Sequence, residues 1–454
     1  MFSNKDLRKL IIPLVIEQLL AVTIGMADTV MVSSCGEAAV SGISLVDSIN
    51  FLLITLFSSL ATGGAVIASQ YIGRGDHKSA SLAAKQLFYA SLALSAVLGV
   101  IAVFFRKPVL NMVFGSIEAD VMAHAQIYFL LSAISYPFLA VYNAGAALFR
   151  SMGDSRTTML ISILMNTINI VGNAILIYGF QMAAAGAATA SLVSRAVGAI
   201  IITVLLLNPR RIIFYDKLHK PEIHLSMLKS ILQIGVPNGL ENSIFQIGKI
   251  LVASIVSGFG TISITANAVA GNLASLQVIP GMALGMAMIT VVGQCIGAKD
   301  YEAVKKYTKK LMLITYGVVW AMTLLMLLFS KQILSFYSLS EETTTMTMEV
   351  FIVHGICAVI VWPLAFALPN ALRAANDVRF TMIVSLLSMW IFRIGFSYIL
   401  AIYFNMGILG TWIAMCIDWF CRGACFVIRF ARGKWKNISF IDNYEGGKTV
   451  WNMM

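Results

Sequence analysis

The sequence predicts an all-α integral membrane protein with twelve transmembrane helices in two six-helix lobes. The 454-residue chain is 59% hydrophobic and only 12% charged, whereas soluble domains carry about 25% charged residues. Apolar stretches of the roughly 20 residues that a membrane-spanning helix needs recur along the chain. The two halves also repeat the same motifs in the same order, which indicates a duplicated bundle.

Each predicted helix is an apolar stretch bounded by charged, glycine or proline residues. The first follows a short polar start, so no cleavable signal peptide is expected. In chain order the predicted helices are 10–33, 45–71, 86–106, 122–147, 158–180, 183–207, 227–256, 262–294, 309–332, 346–372, 380–404 and 407–430.

The predicted domains follow from the longest polar connection, 208–226, which contains Pro209, Pro221 and several basic residues. This cytoplasmic linker separates an N-terminal lobe, 1–207, from a C-terminal lobe, 227–430. Residues 431–454 form a cytoplasmic tail. Because each lobe has an even number of helices, both enter the membrane in the same orientation. Their pseudo-two-fold axis is therefore expected to run along the membrane normal.

The duplication is visible at three anchors that keep their register to within one residue. Pro13 and Glu17 match Pro237 and Glu241, the segment 70–76 matches 294–300, and Arg150 with Asp154 matches Arg373 with Asp377. Positions that stay alike in both halves are expected to serve folding. Positions that differ are candidates for chemistry.

The basic residues predict the orientation of the chain. With both termini in the cytoplasm, most of the 32 Lys and Arg residues fall on the cytoplasmic side, as is typical of membrane proteins. The outer loops hold only Arg106, Lys107 and Lys331. The formal net charge of +11 therefore reflects topology, and we expect no nucleic-acid partner. The predicted location is the cell membrane.

Several segments resemble the multidrug and toxic compound extrusion (MATE) family. The segment 26–32, Met-Ala-Asp-Thr-Val-Met-Val, is similar to the VDTVMAG segment of that family, and 70–76, 148–154, 169–179 and 412–436 are similar to further family segments in the same order. The resemblance covers essentially the whole chain. It implies a twelve-helix fold with two lobes forming a V. It also implies antiport of organic, often cationic compounds against sodium ions or protons.

Asp28 is the leading candidate for the coupling-ion site. It has apolar neighbours in the first predicted helix and corresponds to Leu251 or Val252 in the second half. An ionisable side chain within a membrane helix costs about 2.5–3.5 kcal/mol on insertion scales and marks a functional candidate. The alternative is a carboxylate that only forms hydrogen bonds within the lobe.

Asn169 and Asn173 are four residues apart in the fifth predicted helix, so they share one face. Their amide oxygens suit sodium, and their NH2 groups can donate to Asp28. The alternative is that they join helices as polar contacts. The resemblance implies that Asp28, Asn169, Asn173 and Thr189 surround one pocket of the first lobe. Some relatives carry Asp in place of Asn173, so sodium and proton coupling both stay open here. If the ion is sodium, its ligands are expected to be Asp28, Asn169 and Asn173.

Glu17, Glu241, Asn267 and Asn272 are the candidates for lining a substrate cleft. Each glutamate lies one turn beyond a helix proline, and such breaks occur where helices surround a polar cavity. Because both halves retain the glutamate, a structural role is the alternative.

The remaining charges inside predicted helices are expected to pair. Asp418 and Arg422 are four residues apart and can pair on one helix face. Lys249 lies two turns after Glu241 and is a candidate partner for it. Arg393 requires an acidic partner in the second lobe that the sequence does not identify.

Taken with this resemblance, the sequence predicts a secondary active multidrug exporter that works by alternating access and is not an enzyme. It is expected to act as a monomer on small organic molecules in a lipid bilayer, without a cofactor beyond the coupling ion. A lipid-linked oligosaccharide flippase is the first alternative, which several basic residues in the cleft would favour. A membrane-embedded enzyme is a distant alternative, because the five histidines are scattered along the chain.

Overall fold

The computed structural model describes residues 2–115, 118–216, 218–337 and 339–438. These residues form helices joined by short turns and by one longer linker between Leu206 and Leu225, with no strand among them. Twelve long helices occur in the predicted order, which confirms the predicted fold class. The helices α2 to α12 are each long and apolar enough to cross a membrane by length and composition.

The helices of the first half are α1 (Asn4–Ser33), α2 (Glu37–Arg74), α3 (His77–Phe104), α4 (Ala119–Ser151), α5 (Ser155–Gly179) and α6 (Ala183–Leu206). Those of the second half are α7 (Leu225–Ser257), α8 (Thr261–Gly297), α9 (Tyr301–Leu328), α10 (Glu341–Ile360, continued by Pro363–Ala367 and Leu368–Ala374), α11 (Val378–Tyr403) and α12 (Gly407–Ala431). Short helices, Arg106–Phe114 and Ser330–Ser335, follow α3 and α9 at matching positions of the two halves.

Several predicted helix ends are wrong because hydropathy locates the apolar part of a helix and not its polar ends. The second helix begins at Glu37 and not at 45, and the ninth spans Tyr301–Leu328 and not 309–332. The start of α9 is set by Asp300, which caps the helix by accepting a hydrogen bond from the Ala303 amide at 2.9 Å. Capping side chains of this kind define a helix start.

The duplicated motifs build the same turn in both halves. In each turn, a residue with a left-handed backbone conformation is followed directly by an aspartate. The pairs are Gly75–Asp76, Gly153–Asp154, Lys299–Asp300 and Asn376–Asp377, with φ angles of 80°, 82°, 56° and 68° at the first residue. In the first three turns the aspartate caps the next helix. Asp377 instead forms a two-point ion pair with Arg429, at 2.6 and 3.0 Å. The duplicated residues at these positions therefore have a structural role in forming the turns between helices.

By packing, the chain divides into a first unit, Phe2–Gly239, and a second unit that contains the described residues from Leu240 onward. This division falls inside α7, beyond the linker 208–226 that we predict as the domain boundary. The beginning of α7 joins the first unit because it crosses α2 closely. A Cβ atom on Gly63 would lie 2.5 Å from the Ile231 carbonyl oxygen and 2.9 Å from the Gly235 nitrogen.

The linker is attached to α3. The Gln86 side chain donates to the Glu222 carbonyl at 2.7 Å and accepts from the His224 amide at 3.0 Å. The Tyr89 hydroxyl donates to the Leu218 carbonyl at 2.8 Å. These contacts position the start of α7 within the first unit.

Candidate functional site

Asp28 lies in α1 and accepts hydrogen bonds from two asparagines of α5. Asn173 donates through Nδ2 to Asp28 Oδ1 at 2.7 Å. In the amide orientation that gives both ends of Asn169 a partner, its nitrogen lies 2.8 and 3.1 Å from the two carboxylate oxygens, and its oxygen accepts from Ser191 Oγ at 3.1 Å. Both asparagines are buried. The structure thus brings together the carboxylate and both amides that the sequence singles out.

Local features of α5 and α6 explain this meeting. The four-residue spacing of Asn169 and Asn173 puts both amides on the same face. Gly172 lets α6 approach, since a Cβ atom there would lie 2.9 Å from the Cβ atom of Ala190. Directly after Asn173 the helix changes to a π-helical turn, Ala174–Gly179. Such turns occur frequently at functional sites.

The site is polar but not neutralised by a direct ion pair. Among the described residues, no Lys or Arg forms a salt bridge with Asp28. Arg195 is near enough for its charge to act on Asp28, but its guanidinium donates to Ser135 Oγ at 2.7 Å. The buried Asn173 Oδ1 has no hydrogen-bond partner within the described structure. An acidic group and an unused amide oxygen therefore lie side by side.

Thr189 is the predicted site residue that the structure does not join to Asp28. Its hydroxyl donates to the Ala185 carbonyl at 2.7 Å, within α6. Ser191, two residues further along α6, instead contacts the amide of Asn169. The structure therefore adds a hydroxyl that sequence reasoning did not select.

A second carboxylate, Asp47 of α2, was also missed by sequence reasoning. It accepts from the Tyr128 hydroxyl at 3.0 Å and from Asn50 Nδ2 at 3.3 Å, and its charge acts on Asp28. The predicted start of helix 2 at 45 placed Asp47 at a helix end. Because α2 begins at Glu37, Asp47 lies about three turns into the helix.

Glu17 and Glu241 form matching ion pairs in the two units. Glu17 Oε1 lies 3.3 Å from Arg150 Nη1, and Glu241 Oε1 lies 2.7 Å from Arg373 Nη2. Both glutamates are buried. Each also accepts from a hydroxyl, that of Thr158 at 2.9 Å or that of Ser385 at 2.7 Å. This arrangement favours the structural alternative for the pair, and a role in the cleft stays a prediction.

The other cleft candidates, both in α8, have different surroundings. Asn267 Oδ1 accepts from the Trp412 indole nitrogen at 3.0 Å. Asn272 is exposed. Their part in substrate binding stays a prediction.

In the second unit, the predicted partner of Lys249 is wrong, and the structure identifies the acidic partner of Arg393. Lys249 does not pair with Glu241 but lies over the Phe245 ring, 5.3 Å from its centroid. The predicted pair of Arg422 and Asp418 is confirmed at 3.1 Å. The acidic partner of Arg393 is the same carboxylate, at 3.8 Å. Glu241 instead pairs through Oε1 with Arg373, which is far away in sequence, and its Oε2 has no partner among the described residues.

Comparisons with known proteins agree with the fold and with the internal repeat. The MatE family model matches residues 13–175 and 237–399, and these two matches reproduce the register of the sequence repeat. The chain is 26% identical to "Probable multidrug resistance protein NorM" of Thermotoga maritima, covering 95% of this chain and 93% of that protein. It is 29% identical to a protein of the same name from Bacillus cereus, covering 92% and 93%.

A solved structure described as the outward-facing conformation of a multidrug resistance MATE family transporter of the MOP superfamily also matches. It superposes with a TM-score of 0.87 at 20% identity, over 96% of this chain and 97% of that one. At this identity the likeness shows the fold.

Proposed function

Because this chain belongs to the MatE family, we propose that it is a secondary active multidrug exporter driven by sodium ions or protons. Its relatives named multidrug resistance proteins support small organic molecules as substrates. The chain is a multi-pass membrane protein. We place it in the cell membrane as a monomer with both termini in the cytoplasm.

The arrangement around Asp28 carries the choice of coupling site. A carboxylate in a membrane helix is costly unless it binds a cation, a proton or hydrogen-bond donors. Asp28 has two amide donors and no direct ion pair in the described part of the chain. The group is therefore stabilised enough to persist and still able to take up a positive charge.

The residues present fit sodium, because hard cations prefer oxygen ligands. Asp28 and the unpartnered Asn173 Oδ1 are the oxygens that we assign to such an ion. Asn169 holds the carboxylate in place. If the driving ion is a proton, Asp28 receives it, and the two amides remain as donors to the oxygen that stays unprotonated.

Coupling requires only that the ion and the substrate favour different states of the protein. Ion binding at Asp28 neutralises the carboxylate, which changes the hydrogen bonds between α1 and α5. We propose that this change lowers substrate affinity when the site is open to the outside. Release of the ion inside then resets the transporter.

The test is efflux of a fluorescent organic cation from proteoliposomes, with a sodium gradient and a proton gradient imposed separately. We expect one gradient to drive efflux by the unmodified protein. Asp28→Asn removes the charge but keeps the size, and we expect it to abolish this coupled efflux.

Asp120→Asn is the matched control, because Asp120 is exposed in the first turn of α4. It should retain efflux. Undiminished coupled transport by Asp28→Asn would refute the assigned site. Absence of efflux under both gradients would refute the exporter and move attention to lipid-linked sugars.

A further inference from the structure

Three cationic side chains of the second unit surround one aromatic ring. Lys249 Nζ lies 5.3 Å from the Phe245 ring centroid, and the guanidinium carbons of Arg393 and Arg422 each lie 5.4 Å from it. Arg422 also lies 5.2 Å from the Phe366 centroid. In the described residues of the first unit, the polar site around Asp28 is built instead on carboxylates and amides. This group is called the basic cluster: Lys249, Arg393 and Arg422.

The basic cluster has fewer carboxylate partners than cationic groups. Asp418 is fully buried, and both of its oxygens accept from Arg422 Nη2 at 3.1 Å. Arg393 reaches it only at 3.8 Å. Glu241, the acidic residue two turns earlier in α7, pairs through Oε1 with Arg373 and not with the basic cluster, and its Oε2 has no partner among the described residues. Within the described residues, one carboxylate therefore opposes three cations.

The guanidinium groups also keep unused donors. Arg393 and Arg422 are 9% and 3% exposed, and the Nε atom of each is buried without an acceptor among the described residues. Buried donors without a partner are costly, and those of charged groups cost most. Packing cations on an aromatic face offsets only part of that cost. An anionic acceptor would satisfy both the excess charge and the open donors.

Aromatic surface lies next to these donors. Phe245 and Phe366 contact each other edge to face, with centroids 6.1 Å apart, and Trp362 stacks on Phe366 at 5.4 Å. Phe245 and Phe366 are half-buried, and Lys249 is exposed. A ligand that reaches the cluster thus meets an accessible ammonium group and an apolar wall first, with the two guanidinium groups buried behind them.

We propose that the basic cluster binds the negatively charged group of an exported organic anion or zwitterion, whose aromatic part packs on Phe245 and Phe366. The guanidinium forks suit a carboxylate or a phosphate. This inference rests on the proposed export function, and it widens the substrate class beyond the cations expected from the resemblance. A lipid-linked pyrophosphate also carries an anionic group, so the same cluster could bind such a lipid.

The first experiment measures binding alone, so that its failure is distinct from failure of coupled efflux. The full chain in detergent is titrated calorimetrically with naphthoate and with the neutral isostere naphthamide. We expect naphthoate to bind at least about tenfold more tightly, as one charge-assisted contact supplies. Lys249→Gln should remove most of this difference. Lys229→Gln, an exposed lysine near the start of the same helix, should keep it.

Equal binding of the two probes by the unmodified protein would overturn the proposal, as would an equal loss in both lysine variants. Because Lys249 is exposed, its variant is not expected to unfold, and size-exclusion chromatography checks this. Competition with undecaprenyl pyrophosphate tests the lipid source. If that lipid displaces naphthoate in a Lys249-dependent manner while naphthoate is not exported from proteoliposomes, the site belongs to a lipid and the proposal fails.

Discussion

Asn173 donates a hydrogen bond to Asp28 over 2.7 Å, and the oxygen of the same amide has no partner among the described residues. One side chain thus orients the carboxylate and offers a second oxygen ligand. Neither property would survive replacement by an apolar residue of similar size.

Asn173→Leu is therefore expected to reduce ion-driven efflux at least about tenfold, because it removes a hydrogen bond to a charged group. Efflux from proteoliposomes at equal protein content measures this. Asn166→Leu is the matched control, since Asn166 lies on the same helix and contacts Ser162 at 3.3 Å. Equal effects of the two variants would show that α5 needs polarity in general and not at Asn173.

Asp47→Asn is expected to weaken binding of the driving cation severalfold without abolishing transport. The substitution keeps groups for Tyr128 and Asn50 but removes a negative charge that acts on Asp28. Two like charges repel over several ångströms, and water between them weakens that repulsion without removing it. The ion concentration that gives half-maximal efflux measures the change. An unchanged value would separate Asp47 from the ion site.

Glu241→Leu is expected to destabilise the protein by about 3–5 kcal/mol, because it leaves Arg373 buried without its partner. The midpoint of denaturation in increasing sodium dodecyl sulfate measures the loss. The double variant Glu241→Leu with Arg373→Leu should recover much of it, because an apolar pair replaces the ion pair. A double variant as unstable as the single one would contradict the charge argument.

Gly63→Ala is expected to destabilise the crossing of α2 and α7. The added methyl group meets backbone atoms of Ile231 and Gly235 at 2.5 and 2.9 Å, and backbone cannot move aside as a side chain can. Gly317→Ala in α9 is the control, because nothing lies within 4 Å of its Cβ position. That variant should gain up to about 1 kcal/mol from helix propensity. Similar thermal stability of both variants would show that the crossing relaxes.

The sequence predicted the parts of this structure that depend on local pattern. Apolar length located twelve helices, and the spacing of Asn169 and Asn173 correctly placed both amides on one face. The spacing of Asp418 and Arg422 predicted their pair for the same reason.

Contacts between distant segments were not accessible in this way. Lys249 was assigned to Glu241 because they are neighbours along α7, whereas Arg373 reaches that glutamate from α10. Asp47 was overlooked because hydropathy marks where a helix is apolar, and α2 begins well before that part. The place of Ser191 depends on the close approach at Gly172, which a single sequence does not reveal.

The matching pairs of Glu17 with Arg150 and of Glu241 with Arg373 have a consequence for biosynthesis. Each pair is made only from helices of its own half, α1 with α4 and α7 with α10. The first pair can close while the ribosome is still translating the second half. A gene for one half would thus already encode an ion pair that joins the helices of that half. Two fused copies of such a gene would each supply this contact without the other.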